Sequence, residues 1–159
     1  MFSNAIKGLV SPVATVAQLT KDDVALIWLA HQDQTNAATI ALQAGQGSAF
    51  IQTIYSGAGL KLGFPDPATD SRVPDIIVQP EVGVIYTNST AKDAEHGGFT
   101  LDDVNVALLV AAPQLAPLTL QLPVETTQIA PSILQALSLD PNALQAVEVQ
   151  RTQVLPRLF

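Results

Sequence analysis

Two histidines, His31 and His96, are the first side chains in this chain to consider for metal chemistry, because a neutral imidazole is the commonest zinc ligand. His96 stands in the run Lys92-Asp93-Ala94-Glu95-His96-Gly97-Gly98-Phe99, and its two following glycines would let backbone come close to a crowded metal centre. With Glu95 or Asp93 it makes a weak site at best, since a tightly held zinc takes roughly three or four protein ligands. Tight zinc binding by the isolated chain is therefore not expected. His31 follows the apolar run Ala25-Leu26-Ile27-Trp28-Leu29 and reads as a polar residue at a strand end. Thr126 and Thr127 invite comparison with hydroxyl nucleophiles, but they precede a helical pattern and fit an N-cap better. Lys92 and Arg72 have the charge to meet a phosphate, although solvated or ion-paired roles are commoner for such side chains. Ser56-Gly57-Ala58-Gly59-Leu60 lacks the complete glycine spacing of a phosphate loop and reads as a turn. No Ser-His-Asp order, P-loop or His-Glu-x-x-His motif is present, and cysteine is absent, so disulfides and thiolate metal sites are excluded.

These residues must be positioned by an α/β arrangement. Val24 to Leu29 is a compact apolar run bounded by polar residues, the pattern of a strand covered on both faces, as in a parallel sheet. Further strands are predicted over residues 50–55, 75–78, 82–86 and 104–110, the last of them buried. Lys21-Asp22-Asp23 is a polar break, and Pro80 ends the strand before it. A short helix is expected over residues 11–19, opening after Pro12. An Ala-rich helix spans residues 35–44, with Ala37, Ile40, Ala41 and Ala44 on one face and an end near Gly45. Residues 127–137 form an amphipathic helix with Ile129, Ile133, Leu134 and Leu137 at helical spacing, and Pro131 sits in its first turn, where the missing N–H costs little. Asp140-Pro141 opens a last short helix reaching about Val147, and the tail over 150–159 is extended and docked. No repeat is visible, and no second domain boundary, so residues 1–159 are expected to form a single domain.

Composition bounds the partners. Of 159 residues, 48% are hydrophobic and only 13% charged, enough to bury a core and low enough in charge to suggest that part of the surface is covered by something else. The net charge is −7 without any basic stripe, which leaves nucleic-acid binding without electrostatic support. There is no basic amphipathic helix for an anionic membrane and no apolar run long enough to cross one. The opening Met1-Phe2-Ser3-Asn4-Ala5-Ile6-Lys7 lacks the apolar run of a secretory signal.

Three segments, in order and in register, resemble the carboxy-terminal part of alkaline-phosphatase-superfamily proteins of the type I phosphodiesterase and nucleotide pyrophosphatase kind. The first is Arg72-Val73-Pro74-Asp75-Ile76-Ile77-Val78-Gln79-Pro80 with Gly83-Val84-Ile85-Tyr86. The second runs from Lys92 through Glu95-His96-Gly97-Gly98-Phe99 and Asp102-Asp103 to Leu108-Leu109-Val110. The third is Val124-Glu125-Thr126-Thr127-Gln128-Ile129-Ala130-Pro131-Ser132-Ile133-Leu134, followed by Leu139-Asp140-Pro141. The resemblance covers roughly residues 55–155 and implies a partial alkaline-phosphatase-like sheet with flanking helices. It implies that His96 is a ligand of one of two catalytic zinc ions, which in such enzymes lie ~4 Å apart and clamp an in-line phosphoryl displacement. It carries no ligand role onto His31, where relatives more often have Asp. The nucleophile-bearing segment, the first aspartate ligand and the usual Asp-His pair have no match here. Zinc is thus implied by the family, while the chain alone is expected to be inactive.

Two expectations follow. In one, the chain is the carboxy-terminal portion of a metal-dependent phosphoric-ester hydrolase, with a missing N-terminal portion as its partner. In the other, it is a free-standing, non-catalytic binding protein derived from that fold, whose former core surface drives formation of a homo-oligomer. The family suggests a secreted or periplasmic location, and the substrate is not legible.

Overall fold

The computed structural model describes residues 3–113 and 115–158, without the side chain of Ser3. The opening Met1-Phe2 and the final Phe159 of the expected tail lie outside the described residues. The chain divides into two compact units, Met1–Ala107 and Leu108–Phe159.

The first unit is mixed α/β. Its elements are helix α1 (Ser3–Val10), strands β1 (Val16–Lys21) and β2 (Ala25–Leu29), helix α2 (Thr35–Ala44), strand β3 (Ile51–Ser56), the short helix α3 (Gly57–Leu60), strand β4 (Ile76–Pro80) and the short helix α4 (Leu101–Val104). The four strands form an open sheet in the order β1-β2-β4-β3, and every neighbouring pair is antiparallel. β1 and β2 make a hairpin around Asp22–Val24. β2 and β3 run parallel to each other, joined by a crossover through α2, with β4 inserted antiparallel between them.

Side-chain alternation builds a core on each face of this sheet. Ala25, Ile27 and Leu29 of β2 and Ile76 and Val78 of β4 point to one face. There they meet Ile6 and Val10, one turn apart on α1, and Ala38 and Leu42, spaced alike on α2. Ile77 points to the other face and packs with Val24, Leu60 and Val73. β4 is buried along its whole length because it is central and covered on both faces. The apolar runs therefore arise from a doubly covered antiparallel sheet rather than from the parallel one anticipated. Asp75 secures the pairing: its Oδ2 accepts the Leu29 N–H at 2.7 Å, and its own N–H donates to Ile27 O at 2.9 Å. Trp28 Nε1 donates to Ser71 O at 3.1 Å and ties β2 to the polar turn before β4.

Four local expectations are corrected. The first helix occupies Ser3–Val10, and residues 16–19 of the helix predicted over 11–19 belong to the edge strand β1, whose Val16 and Leu19 pack against the core. α2 has the predicted bounds but buries Ala38 and Leu42, leaving Ile40 exposed. Residues 82–86 are outside the sheet: Gly83 has φ +85°, Val84 N–H closes a turn onto Glu81 O, and Tyr86 N–H donates to Asp22 O at 2.8 Å. Residues 104–110 pair with no strand among the described residues, and Val104, Val106, Leu108, Leu109 and Val110 are exposed.

The second unit is helical, with 3-10 turns at Thr126–Gln128 and Pro141–Ala143, helix α5 (Ile129–Ala136) and helix α6 (Gln145–Gln150). Pro131 is the third residue of α5 and is fully buried. Asp140 Oδ1 accepts Asn142 N–H at 2.9 Å and starts the 3-10 turn at Pro141. The buried Ser132 hydroxyl donates to Gln128 O at 2.7 Å and accepts Leu155 N–H at 2.8 Å, which docks the tail on α5.

Candidate functional site

The segment that carries His96 has no regular secondary structure between Pro80 and α4, so it must be positioned by side chains and caps. Three anchors do this. Phe99 N–H donates to Oε1 of the buried Gln79, on β4, at 2.8 Å. The Phe99 ring meets Tyr55 and Phe64 edge-on, with centroids 5.6 and 6.1 Å apart. Thr100 N–H and Oγ1 both donate to Asp103 Oδ2, at 3.1 and 2.6 Å, which caps α4.

The loop then closes on the β1–β2 turn. Gly98 is buried, and a Cβ placed there would run into Oδ2 of both Asp23 and Asp103. Gly97 adopts φ +99°, a conformation that favours glycine. The two glycines thus serve a close approach of backbone to a pair of carboxylates. Asp23 is 7% exposed, and its Oδ2 meets no donor. Its neighbour Asp103 offers another carboxylate oxygen, which is a partner only when one of the two groups carries a proton. Burial first, and the Asp103 charge next, push the Asp23 carboxyl above its usual range. Glu95 acts in the same direction and His96 against it.

His96 itself is exposed on this anchored loop. Glu95 beside it is engaged elsewhere: both carboxylate oxygens accept from Lys92 Nζ, at 2.6 and 2.8 Å, and this partner holds Glu95 below the usual range. His31 is exposed at the end of β2, where its carbonyl accepts Gln34 N–H at 3.1 Å. Among the described residues, no group of three or more histidines and carboxylates is placed to hold a metal ion. A zinc ion at His96 would need further ligands, since a tightly held zinc takes about three or four.

The other sequence candidates have structural partners. Lys92 is paired with Glu95 and Arg72 with Asp70. Thr127 Oγ1 donates to Glu125 Oε2 at 3.1 Å, and Glu125 N–H in turn donates to Gln128 Oε1 at 2.8 Å. Glu125 rather than either threonine is the N-cap of that turn. Lys61 is paired with Asp66. Sequence reasoning missed Asp23, Asp103 and Gln79. Their signals were two aspartate doublets, Asp22-Asp23 and Asp102-Asp103, and one amide inside an otherwise apolar strand.

A cleft of about 500 Å³ in the second unit is lined by Leu122, Gln128, Gln135, Val154 and Arg157 among others, with no side-chain carboxylate or imidazole lining it among the described residues. No helix among the described residues is long and apolar enough to cross a membrane. No protein-family model, curated protein or solved structure matches the chain.

Proposed function

We propose that this chain is the carboxy-terminal portion of a metal-dependent phosphoric-ester hydrolase, inactive alone, which contributes His96 to a site completed by other polypeptide. The observation that carries this reading is an exposed imidazole on a loop fixed at Gly98, Phe99 and Asp103. An imidazole that is to ligate metal in a shared site must be both accessible and held in place. The ordered motifs around Asp75, His96 and Thr126 supply the reaction class by resemblance. Substitution of His96 should leave the fold unchanged, because its ring is outside the core.

The test is hydrolysis of a chromogenic phosphodiester with added zinc, comparing the chain with His96→Ala. The purified chain should hydrolyse no more than the variant. The same pair, recovered by tag from native cells with whatever polypeptide accompanies them, should differ, with activity in the natural chain alone. Zinc-dependent hydrolysis by the purified chain that His96→Ala abolishes would overturn the inactive-alone reading. Equal inactivity of both native-cell preparations would sink the hydrolase reading.

A second reading, a non-catalytic binding protein that forms a homo-oligomer, draws on the exposed apolar side chains Leu101, Val104 and Val106. It requires a stable dimer or larger species at micromolar concentration in sedimentation, with no associated hydrolytic polypeptide.

A further inference from the structure

A buried carboxylate oxygen without a donor, facing a second carboxylate across a glycine, is costly while both groups are charged. Asp23 Oδ2 is in this position, and it converges on Gly98 with Asp103 Oδ2, a half-buried oxygen that already accepts from Thr100. Two carboxyl groups so placed gain a hydrogen bond when they hold one proton between them. We propose that the loop bearing His96 is latched to the β1–β2 turn by a proton shared between Asp23 and Asp103, and that release of this proton to solvent as pH rises opens the latch. The inference is independent of any metal role for His96.

The groups facing the pair decide the sign. Asp103 comes from α4, and Glu95 and His96 come from the loop. Asp22 adjoins Asp23 in the same turn, and β4 presents the uncharged Gln79. Glu95 and Asp103 add negative charge and favour keeping the proton, while a charged His96 opposes them. A carboxyl whose folded value lies above its unfolded one stabilises the closed state fully at acid pH. That contribution is lost as pH rises through the folded value. The latch is therefore tight in acid and loosens toward neutrality. Opening would move the segment that carries His96, since Gly98, which meets the pair, is two residues along the chain from His96.

The experiment is amide hydrogen exchange at Phe99 and Thr100, whose N–H groups are bonded to Gln79 and Asp103. Exchange is followed from about pH 4 to about pH 8 and corrected for the intrinsic rate. Protection in the natural chain should fall severalfold over that range as the proton is lost. In Asp23→Asn the side-chain amide donates to Asp103 at every pH, so protection should stay high and flat. Asp103→Asn provides the same donor from the other side, should Asp23→Asn fail to fold. In Gly98→Ala the added methyl displaces the carboxylates and protection should be low throughout. A flat profile in the natural chain, or an equal fall in a folded Asn variant, overturns the latch. So does full restoration of protection near pH 8 by magnesium or calcium alone, which would assign the pair to a cation.

Discussion

At the scale of single residues, the first unit depends on a few buried polar groups set in an apolar sheet. Asp75 is the clearest, because its carboxylate accepts a backbone N–H that belongs to β2. Truncation would remove the acceptor and leave the Leu29 N–H buried and unpaired. Asp75→Ala is therefore expected to cost about 1–3 kcal/mol, the penalty for one buried unsatisfied donor. Urea unfolding followed by Trp28 fluorescence measures it, and a loss below a few tenths of a kcal/mol would contradict this role. Tyr86 is a second such group. Its hydroxyl donates to Ala49 O at 2.9 Å, and burial pushes its pKa above the ordinary tyrosine range, so the hydroxyl keeps its proton. It is therefore a structural strut. None of these partners is visible in sequence, where Asp75 is simply the first polar residue before an apolar run.

At the scale of elements, propensity and periodicity place the pieces, and tertiary bonds choose their ends. The helix over 35–44 was legible to the residue because an Ala-rich run ends at Gly45, a local property. Its buried face was misjudged, since α1 and the sheet select Ala38 and Leu42. The strand predicted over 104–110 fails at its start, where Asp103 caps Thr100 and draws Leu101–Val104 into a helical turn. In the second unit, the Ser132 hydroxyl joins α5 to the tail, beside Gln128 Nε2, which donates to Val154 O at 3.3 Å. Ser132→Ala should leave Leu155 N–H without its acceptor and raise the exchange rate of that amide by about tenfold or more, as expected when roughly 1.4 kcal/mol of local protection is lost. The amides within α5 should be little changed, which separates loss of the tail's dock from loss of the helix. Equal protection of Leu155 in variant and natural chain would remove Ser132 from this role.

At the scale of the whole molecule, charge sets the response to pH. The chain carries fourteen acidic and seven basic residues, so acid brings it toward neutrality. Its carboxylates do not act together. Hydrogen bonds from the Arg72 side chain, with help from the Arg72 backbone N–H, hold Asp70 down at about 2, and Lys61 lowers Asp66. A depressed carboxyl contributes stability above its unfolded value and loses it as pH falls through the folded one. For Asp70 that loss is expected between the ordinary aspartate value of 3.8 and about 2. Asp70→Asn should therefore flatten the acid limb of the stability profile read from Trp28, which is bonded to the adjoining Ser71 carbonyl. An acid limb as steep as that of the natural chain would show that the pair is fully screened. Asp23 runs the opposite way, so the loop should tighten under the conditions that weaken the Asp70 turn.

The sequence by itself determined the class of the molecule and most of its strands and helices. The strands read over 24–29, 50–55 and 75–78, and the helical period over 127–137, are encoded within a few residues and need no distant partner. It also singled out His96 as a residue type and position worth testing. What only the tertiary structure decided were relations between distant segments. Strand direction was one, because an apolar run is equally satisfied by any neighbour that covers both its faces. Failure of 82–86 and 104–110 to join the sheet was another, since pairing depends on an available edge. The meeting of Asp23, Asp103 and Gly98 was a third. A carboxylate's partners are set by where the chain returns in space, and no local pattern carries that information.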